Sequence, residues 1–353
     1  MKGRIETMVL IYKCPTCGGV ITYNAQKQLL ECSHCQTSMA ADEYDISDLR
    51  AEENKTEEFN ITSYRCPSCG AELITDDYTA ATTCSYCGSP TIINDRLSEE
   101  NAPDLIIPFK FNKAATLEKL KHWCRNGLFT PSDFLSQNSL KKLSGIYVPF
   151  WLYDFDTHCS MNAKCSKVRT YIQGDKEYTE TSYYEVYRET VASYEKIPAD
   201  ASEKMEDNIM DALEPFYYLD LEDFDMAYFS GYSAEKYNFT AEDMIARVVP
   251  RAKGYAESIT RNTMRDYDSI NVTSADTDAK MTKATYAFLP VWRYAYRYKG
   301  IDYIFSMNGQ TGKIIGKPPK SASKIFIVFL FLFLAVFWGG SLLALYLSWG
   351  GVF

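Results

Sequence analysis

The 353-residue sequence predicts an α+β protein in three parts: two tandem small β modules, an antiparallel-sheet α+β body, and one long apolar helix at the C-terminus. Three observations predict it. Cysteine pairs recur near the N-terminus at a constant offset of 52 residues, strand-like aromatic runs alternate with capped amphipathic helices between residues 101 and 316, and no charged residue occurs from Ile325 to Phe353.

The first part rests on spacing. Cys14-Pro-Thr-Cys17-Gly18 is followed after fourteen residues by Cys32-Ser-His-Cys35, and Cys66-Pro-Ser-Cys69-Gly70 after the same interval by Cys84-Ser-Tyr-Cys87-Gly88. Tyr12, Lys13 and Pro15 match Tyr64, Arg65 and Pro67, so the two units form an internal duplication. Each Cys-x-x-Cys makes a knuckle whose two thiolates reach one ion, and two knuckles close a tetrahedral four-sulfur shell about 2.3 Å around Zn²⁺. Gly18, Gly70 and Gly88 are expected to supply the left-handed backbone such turns favour. The pattern predicts two structural zinc ribbons, at 12–39 and 64–93, with Cys14, Cys17, Cys32 and Cys35 on one ion and Cys66, Cys69, Cys84 and Cys87 on the other. A thioredoxin-like pair would stand singly beside a βαβ pattern, and an iron–sulfur site would show unequal spacing. His34, inside a knuckle whose shell four thiolates already close, is expected to be an exposed turn residue.

Composition bears on partners and compartment. The net charge of −9 repels phosphate backbones, and neither module is basic: Lys13 and Lys27 face Glu31 in the first, and Arg65 faces Glu72, Asp76 and Asp77 in the second. Between them, residues 40–63 hold Asp42, Glu43, Asp45, Asp48, Glu52, Glu53, Glu57 and Glu58 against Arg50 and Lys55, the composition of a solvated acidic linker. Nucleic acid is therefore disfavoured as a partner. Met1 to Tyr12 contains only the short apolar run Met8 to Ile11 and no cleavage-site pattern, so no signal peptide is expected, and Met8 is an alternative start. Thiols in a reducing compartment are free to bind metal.

The body, 101–316, reads as α+β, and the 27 tyrosines, 19 phenylalanines and 5 tryptophans of the chain favour strands. Asn112 is positioned to cap a helix to about Asn126, with Leu117, Leu120 and Cys124 inward and Gly127 as its stop. A second helix is expected from Ser202 to Glu214, ended by Pro215, and Thr240-Ala-Glu-Asp243 opens a third that Pro250 should kink or interrupt. Strands are expected over Ile146–Phe155, Thr181–Tyr194, Tyr286–Tyr298 and Ile301–Ile315, the last turning at Asn308-Gly309. Val148-Pro-Phe-Trp151 and Leu289-Pro-Val-Trp292 resemble each other, as if placed equivalently in two related sheets. Gly309-Gln-Thr-Gly312-Lys313 lacks the spacing of a phosphate loop, so a turn is the reading there. His122 with Cys124, and His158 with Cys159 and Cys165, are too irregularly spaced to predict a third metal. No catalytic motif is found, and no enzyme activity is expected.

The segment 325–347 is almost wholly aliphatic or aromatic, and its length of about 34 Å exceeds a hydrocarbon core of about 30 Å. It is expected to be a single-pass transmembrane helix. Lys313, Lys317, Lys320 and Lys324 precede it and no charge follows, which puts the N-terminal body in the cytoplasm and a short tail outside the cell membrane. Trp338 and Gly339-Gly340-Ser341 lie mid-span, where small residues permit close helix packing.

Together the tandem ribbons, Tyr147-Val-Pro-Phe-Trp-Leu-Tyr-Asp154, Phe288-Leu-Pro-Val-Trp292 and Tyr303-Ile-Phe-Ser-Met-Asn-Gly-Gln-Thr-Gly-Lys313 resemble the TFIIB-type zinc-ribbon-containing membrane proteins of Gram-positive bacteria. Members of that group often carry a label after primosomal helicase, which this sequence contradicts by lacking a Walker A motif. The resemblance implies a non-enzymatic envelope component beside phage-shock-type and flotillin-like membrane-stress proteins. The expected function is a membrane-anchored scaffold presenting protein-binding surfaces at the cytoplasmic face. The alternative is a membrane-tethered nucleic-acid-binding or transcription-associated factor.

Overall fold

The structure, a computed structural model, describes residues 8–44, 50–53, 56–58, 61–75, 78–84, 87, 89–93, 102–127, 129–131, 134, 143–298 and 300–350. The expectations placed on Met1, Asp45, Asp48, Lys55, Asp76, Asp77, Gly88 and Phe353 lie outside the described residues. The molecule is a mixed α+β protein.

The N-terminal strands are β1 (Met8–Ile11), β2 (Ile21–Asn24), β3 (Leu29–Cys32), β4 (Ser38–Met39), β5 (Arg50–Glu53), β6 (Thr56–Glu58), β7 (Ile61–Arg65), β8 (Glu72–Thr75), β9 (Thr79–Thr83) and β10 (Pro90–Ile93). Two three-stranded antiparallel sheets form, β2-β3-β4 and β6-β7-β8. The remaining strands, β1, β5, β9 and β10, join a twelve-stranded sheet that runs on into the body. Two N-terminal strands lie wholly within the acidic stretch 40–63, β5, which pairs with β1, and β6, which pairs with β7. Charge does not prevent this, because the ladder is made by main-chain groups whatever the side chains carry.

The first cysteine module is packed directly onto the body. Tyr12, Ile21, Tyr23, Leu30 and Cys32 share one core with Phe109, Tyr147, Phe229 and Tyr232. Hydrogen bonds reinforce the contact: Tyr23 N donates to Ser230 O at 2.9 Å, and the side chains Ser230 Oγ and Gln28 Nε2 donate to Ile21 O at 2.6 Å and Phe109 O at 2.8 Å. The second module is tied in through β1 and β10, whose Ile11 and Ile93 pack with Tyr64, Cys66, Leu73 and Cys84.

The body begins with β11 (Leu105–Ile106) and α1 (Lys113–Arg125), whose cap is the expected one: Asn112 Oδ1 accepts from Ala115 N at 2.9 Å. There follow the long strands β12 (Leu143–Gln173) and β13 (Lys176–Asp200), α2 (Asp207–Leu213), the short strands β14 (Glu222–Asp223) and β15 (Ser233–Glu235), and α3 (Ala241–Asn262). Three strands, β16 (Ser269–Tyr298), β17 (Ile301–Asn308) and β18 (Ile314–Gly316), complete the sheet, and α4 (Ala322–Gly350) ends the described chain.

The two proline motifs are corrected by the register: they lie in one sheet, not two. Val148 pairs with Leu289, Pro149 with Phe288 and Tyr147 with Pro290 on the adjacent antiparallel strands β12 and β16. Each proline sits where the neighbour on its outer side changes. Beside Pro149, β15 gives way to β13, and beside Pro290, β11 gives way to β17. Each proline carbonyl faces that gap, accepting from Ala201 N at 2.9 Å and Gly309 N at 2.8 Å, so the missing N–H interrupts no ladder.

Two helix expectations are also corrected. The helix α2 starts at Asp207, not Ser202, because Ser202 Oγ donates to Glu235 at 3.0 Å and Ala201 N to Pro149 O, which tie the start of that stretch to the sheet, and a turn at Glu203 and Lys204 follows. The helix α3 opens on the expected capping box at Thr240 and Asp243 but runs unbroken through Pro250. Pro250 and Ala246 are both exposed, so water can meet the carbonyl whose partner is missing. Its buried face of Met244, Val248, Ala252, Ala256 and Thr260 follows helical spacing. That face covers one side of the β12–β13–β16 blade, where Cys159, Met161, Ala163 and Cys165 alternate inward with Val186.

Asn308-Gly309 turns the chain as expected, through a longer loop closed by Asn308 N donating to Lys313 O at 2.9 Å. Asn308 is fully buried. Its Nδ2 donates to Leu213 O and Pro215 O at 3.1 and 3.2 Å, and its Oδ1 accepts from Gln310 N and Thr311 N, both at 2.9 Å. Gln310 extends the clamp to both main-chain groups of Tyr217. The most distinctive run of the sequence is therefore a structural lock on the end of α2.

Candidate metal centres

Each cysteine module brings its four sulfurs together. In both sets the four Sγ atoms lie within 4.8 Å of one another. Cys14 and Cys35 are 3.5 Å apart and Cys17 and Cys32 3.6 Å; Cys66 and Cys87 are 3.7 Å apart and Cys69 and Cys84 3.8 Å. A tetrahedron with metal–sulfur bonds of about 2.3 Å has edges of about 3.8 Å. The donor set and its spacing therefore fit a four-thiolate metal site.

The knuckles are built by backbone geometry. Gly18 N donates to Cys14 O and Gly70 N to Cys66 O, each at 2.8 Å, and both glycines take a positive φ, of 70° and 72°. In the second knuckle of the first module the left-handed residue is Gln36, at φ 63°. The first cysteine of every pair is buried and the second exposed, so each site is anchored in a core and opens at the surface.

Two residues absent from the sequence reading belong to these sites. Thr37 Oγ1 stands 3.1 Å from Cys35 Sγ, and Ser89 Oγ stands 3.3 Å from Cys87 Sγ. These hydroxyls are the largest cause that brings the Cys35 and Cys87 thiols down to about 6, the charge state a metal ligand needs at neutral pH. Cys66, in contrast, is pushed up to about 12, chiefly by burial. The offset of 52 between Thr37 and Ser89 was the signal available in the sequence.

The other candidates do not converge. Among the described residues, three or more metal-binding side chains come together only in the two cysteine sets. His34 lies exposed in its turn, as expected. Cys124 is buried in the main core, whereas Cys159 and Cys165 face α3. His158 points to the opposite side of the blade, with Nε2 2.6 Å from Glu189.

The described chain is thus a mixed α+β protein with two four-cysteine clusters and one helix long and apolar enough to cross a membrane. It is 40% identical to the uncharacterized protein YdjG of Bacillus subtilis (strain 168) over 314 residues, covering 75% of this chain and 92% of that protein, and it belongs to the family of that protein. No family model and no solved structure matches it.

Proposed function

We propose that the chain is a non-enzymatic scaffold of the TFIIB-type zinc-ribbon class, held at the cytoplasmic face of the cell membrane by α4 and assembling with other membrane proteins, envelope-stress complexes among them. One observation carries this reading: two complete four-sulfur sets stand in a chain whose terminal helix is apolar and 0% buried over its candidate span. Four thiolates at tetrahedral spacing suit Zn²⁺, and a filled shell leaves no position for a substrate, which supports a structural role. An exposed apolar surface of that length in water would be an aggregation liability, and a bilayer removes it. The net charge of −9 argues against the nucleic-acid alternative.

Affinity capture from detergent-solubilised membranes tests the scaffold, with and without nuclease. Membrane proteins should be recovered equally in both arms, and recovery should fall when Cys66→Ser and Cys69→Ser remove half of one site. Captured material that vanishes with nuclease would instead establish the transcription-associated reading.

A further inference from the structure

Charge is distributed unevenly over this acidic chain. Between Lys110 and Arg125 five basic residues stand against Glu118 alone, and between Lys313 and Lys324 four lysines stand against no acid. The fold brings these stretches together at the root of α4. Ser321 N donates to Phe129 O and Lys324 Nζ to Thr130 O, each at 2.7 Å, so the chain just beyond α1 is fastened to the first turn of α4.

An open groove of about 570 Å³ runs beside α1 at this end of the body. Lys119, His122 and Asn126 line it from one face of the helix, while Phe111 and Trp123 supply an apolar wall. Lys119 and His122 are exposed, and Lys119 Nζ lies 4.6 Å from the Phe111 ring centre. Gly312 keeps the groove open, because a Cβ there would come within 3.1 Å of Lys119 Nζ and 3.2 Å of the Phe111 ring. The one acid on the rim, Glu118, is paired with Lys121 at 2.8 Å, which leaves Lys119 without a carboxylate partner among the described residues.

We propose that this groove and its basic rim take the phosphate-bearing headgroup of an anionic phospholipid from the bilayer that α4 crosses; the inference rests on the reading of α4 as a membrane span. Lys119 supplies the charge; Asn126 Nδ2 stands 3.1 Å from His122 Nε2, and the amide N–H and ring nitrogen that this contact leaves over supply donors. The Phe111 and Trp123 wall takes the glycerol and the first methylenes, a division of labour suited to a ligand with one charged and one apolar end. Lys317 and Lys320, exposed in the segment that leads to α4, add to the same positive field. Docking at this groove would add a second hold on the membrane beside the tie of the body to α4 at Ser321 and Lys324.

Full-length chain in nanodiscs tests this, with hydrogen exchange followed over residues 113–131. One disc is phosphatidylcholine alone and the other includes phosphatidylglycerol. Exchange should slow about fivefold in the anionic disc, the equivalent of about 1 kcal/mol for one basic side chain at an anionic surface. Lys119→Gln with Lys320→Gln, both exposed, should abolish the difference while melting as the unaltered chain does. Incorporation into both discs with identical exchange overturns the headgroup site and leaves the anchor standing. Slowing by free inorganic phosphate over neutral discs would also overturn it, assigning the groove to a soluble anion. Failure to enter either disc overturns the span and the headgroup site together.

Discussion

Replacing Cys32 and Cys35 by serine is expected to loosen the body as well as the first module. A structural zinc site contributes on the order of 10–16 kcal/mol at neutral pH, as large as the whole net stability of about 5–15 kcal/mol of an ordinary domain. Cys32 packs in the same core as Phe109, Tyr147 and Tyr232, so the lost metal site is not insulated from the sheet. Hydrogen exchange should rise across residues 12–44, then along β9, β10 and β15, which carry the sheet between the modules and the body. The β12–β13–β16 blade, covered by α3, should keep its protection. A strong chelator, which strips both sites, should give this pattern in the unaltered chain with the second module, around Cys66, Cys69 and Cys84, loosened as well. Loss confined to residues 12–39 would mean that the module is a separate bead, contrary to the shared core.

Arg247→Met is expected to cost about 3–5 kcal/mol, read by urea unfolding of the detergent-purified chain. Arg247 Nη1 lies 2.9 Å from Asp200 Oδ1, and its other contacts reach Asp207 at 3.1 Å and Asp211 at 2.8 Å. One turn on, Arg251 holds Glu214 at 2.7 Å, so two arginines pin α2 and the end of β13 to α3. The Asp200 side chain is fully buried, and burial pushes its carboxyl up to about 6 even beside Arg247. Its folded value is thus above its unfolded one. The folded state holds the proton longer, and the stability this group contributes falls as pH rises between about 4 and 6. Without Arg247 the folded value rises further, so the cost of the substitution should be larger at pH 8 than at pH 5. Adding Asp200→Asn to Arg247→Met should recover most of the loss. An equal cost at both pH values would show that the pairing with Asp200 is not what stabilises this joint.

Features set by neighbouring residues were legible in the sequence. The cysteine sets, the Asn112 cap and the Thr240–Asp243 capping box each depend on a few positions whose chemistry admits one local geometry. Features set across the chain were harder. Strands β12 and β16 extend well beyond the runs expected from aromatic content, because the outer stretch of β12 buries no aromatic residue on its inner face, only Cys159, Met161, Ala163 and Cys165. Pro250 reads as a helix breaker only while its exposure is unknown. The joint at Asp200 left a fainter trace: Asp207 and Asp211 on one helix and Arg247 and Arg251 on another share the i, i+4 spacing that a matched pair of faces requires. Asn308 was recognised as a turn residue, but its hold on Leu213 and Pro215 depends on a contact between distant segments that no local pattern encodes.

The most direct measurement is elemental analysis of the full-length chain, purified from membranes in detergent under reducing conditions. Two zinc atoms per polypeptide are predicted, falling to one when Cys66 and Cys69 are both serine. A metal-free chain that nevertheless keeps its fold and all eight thiols reduced would contradict the account.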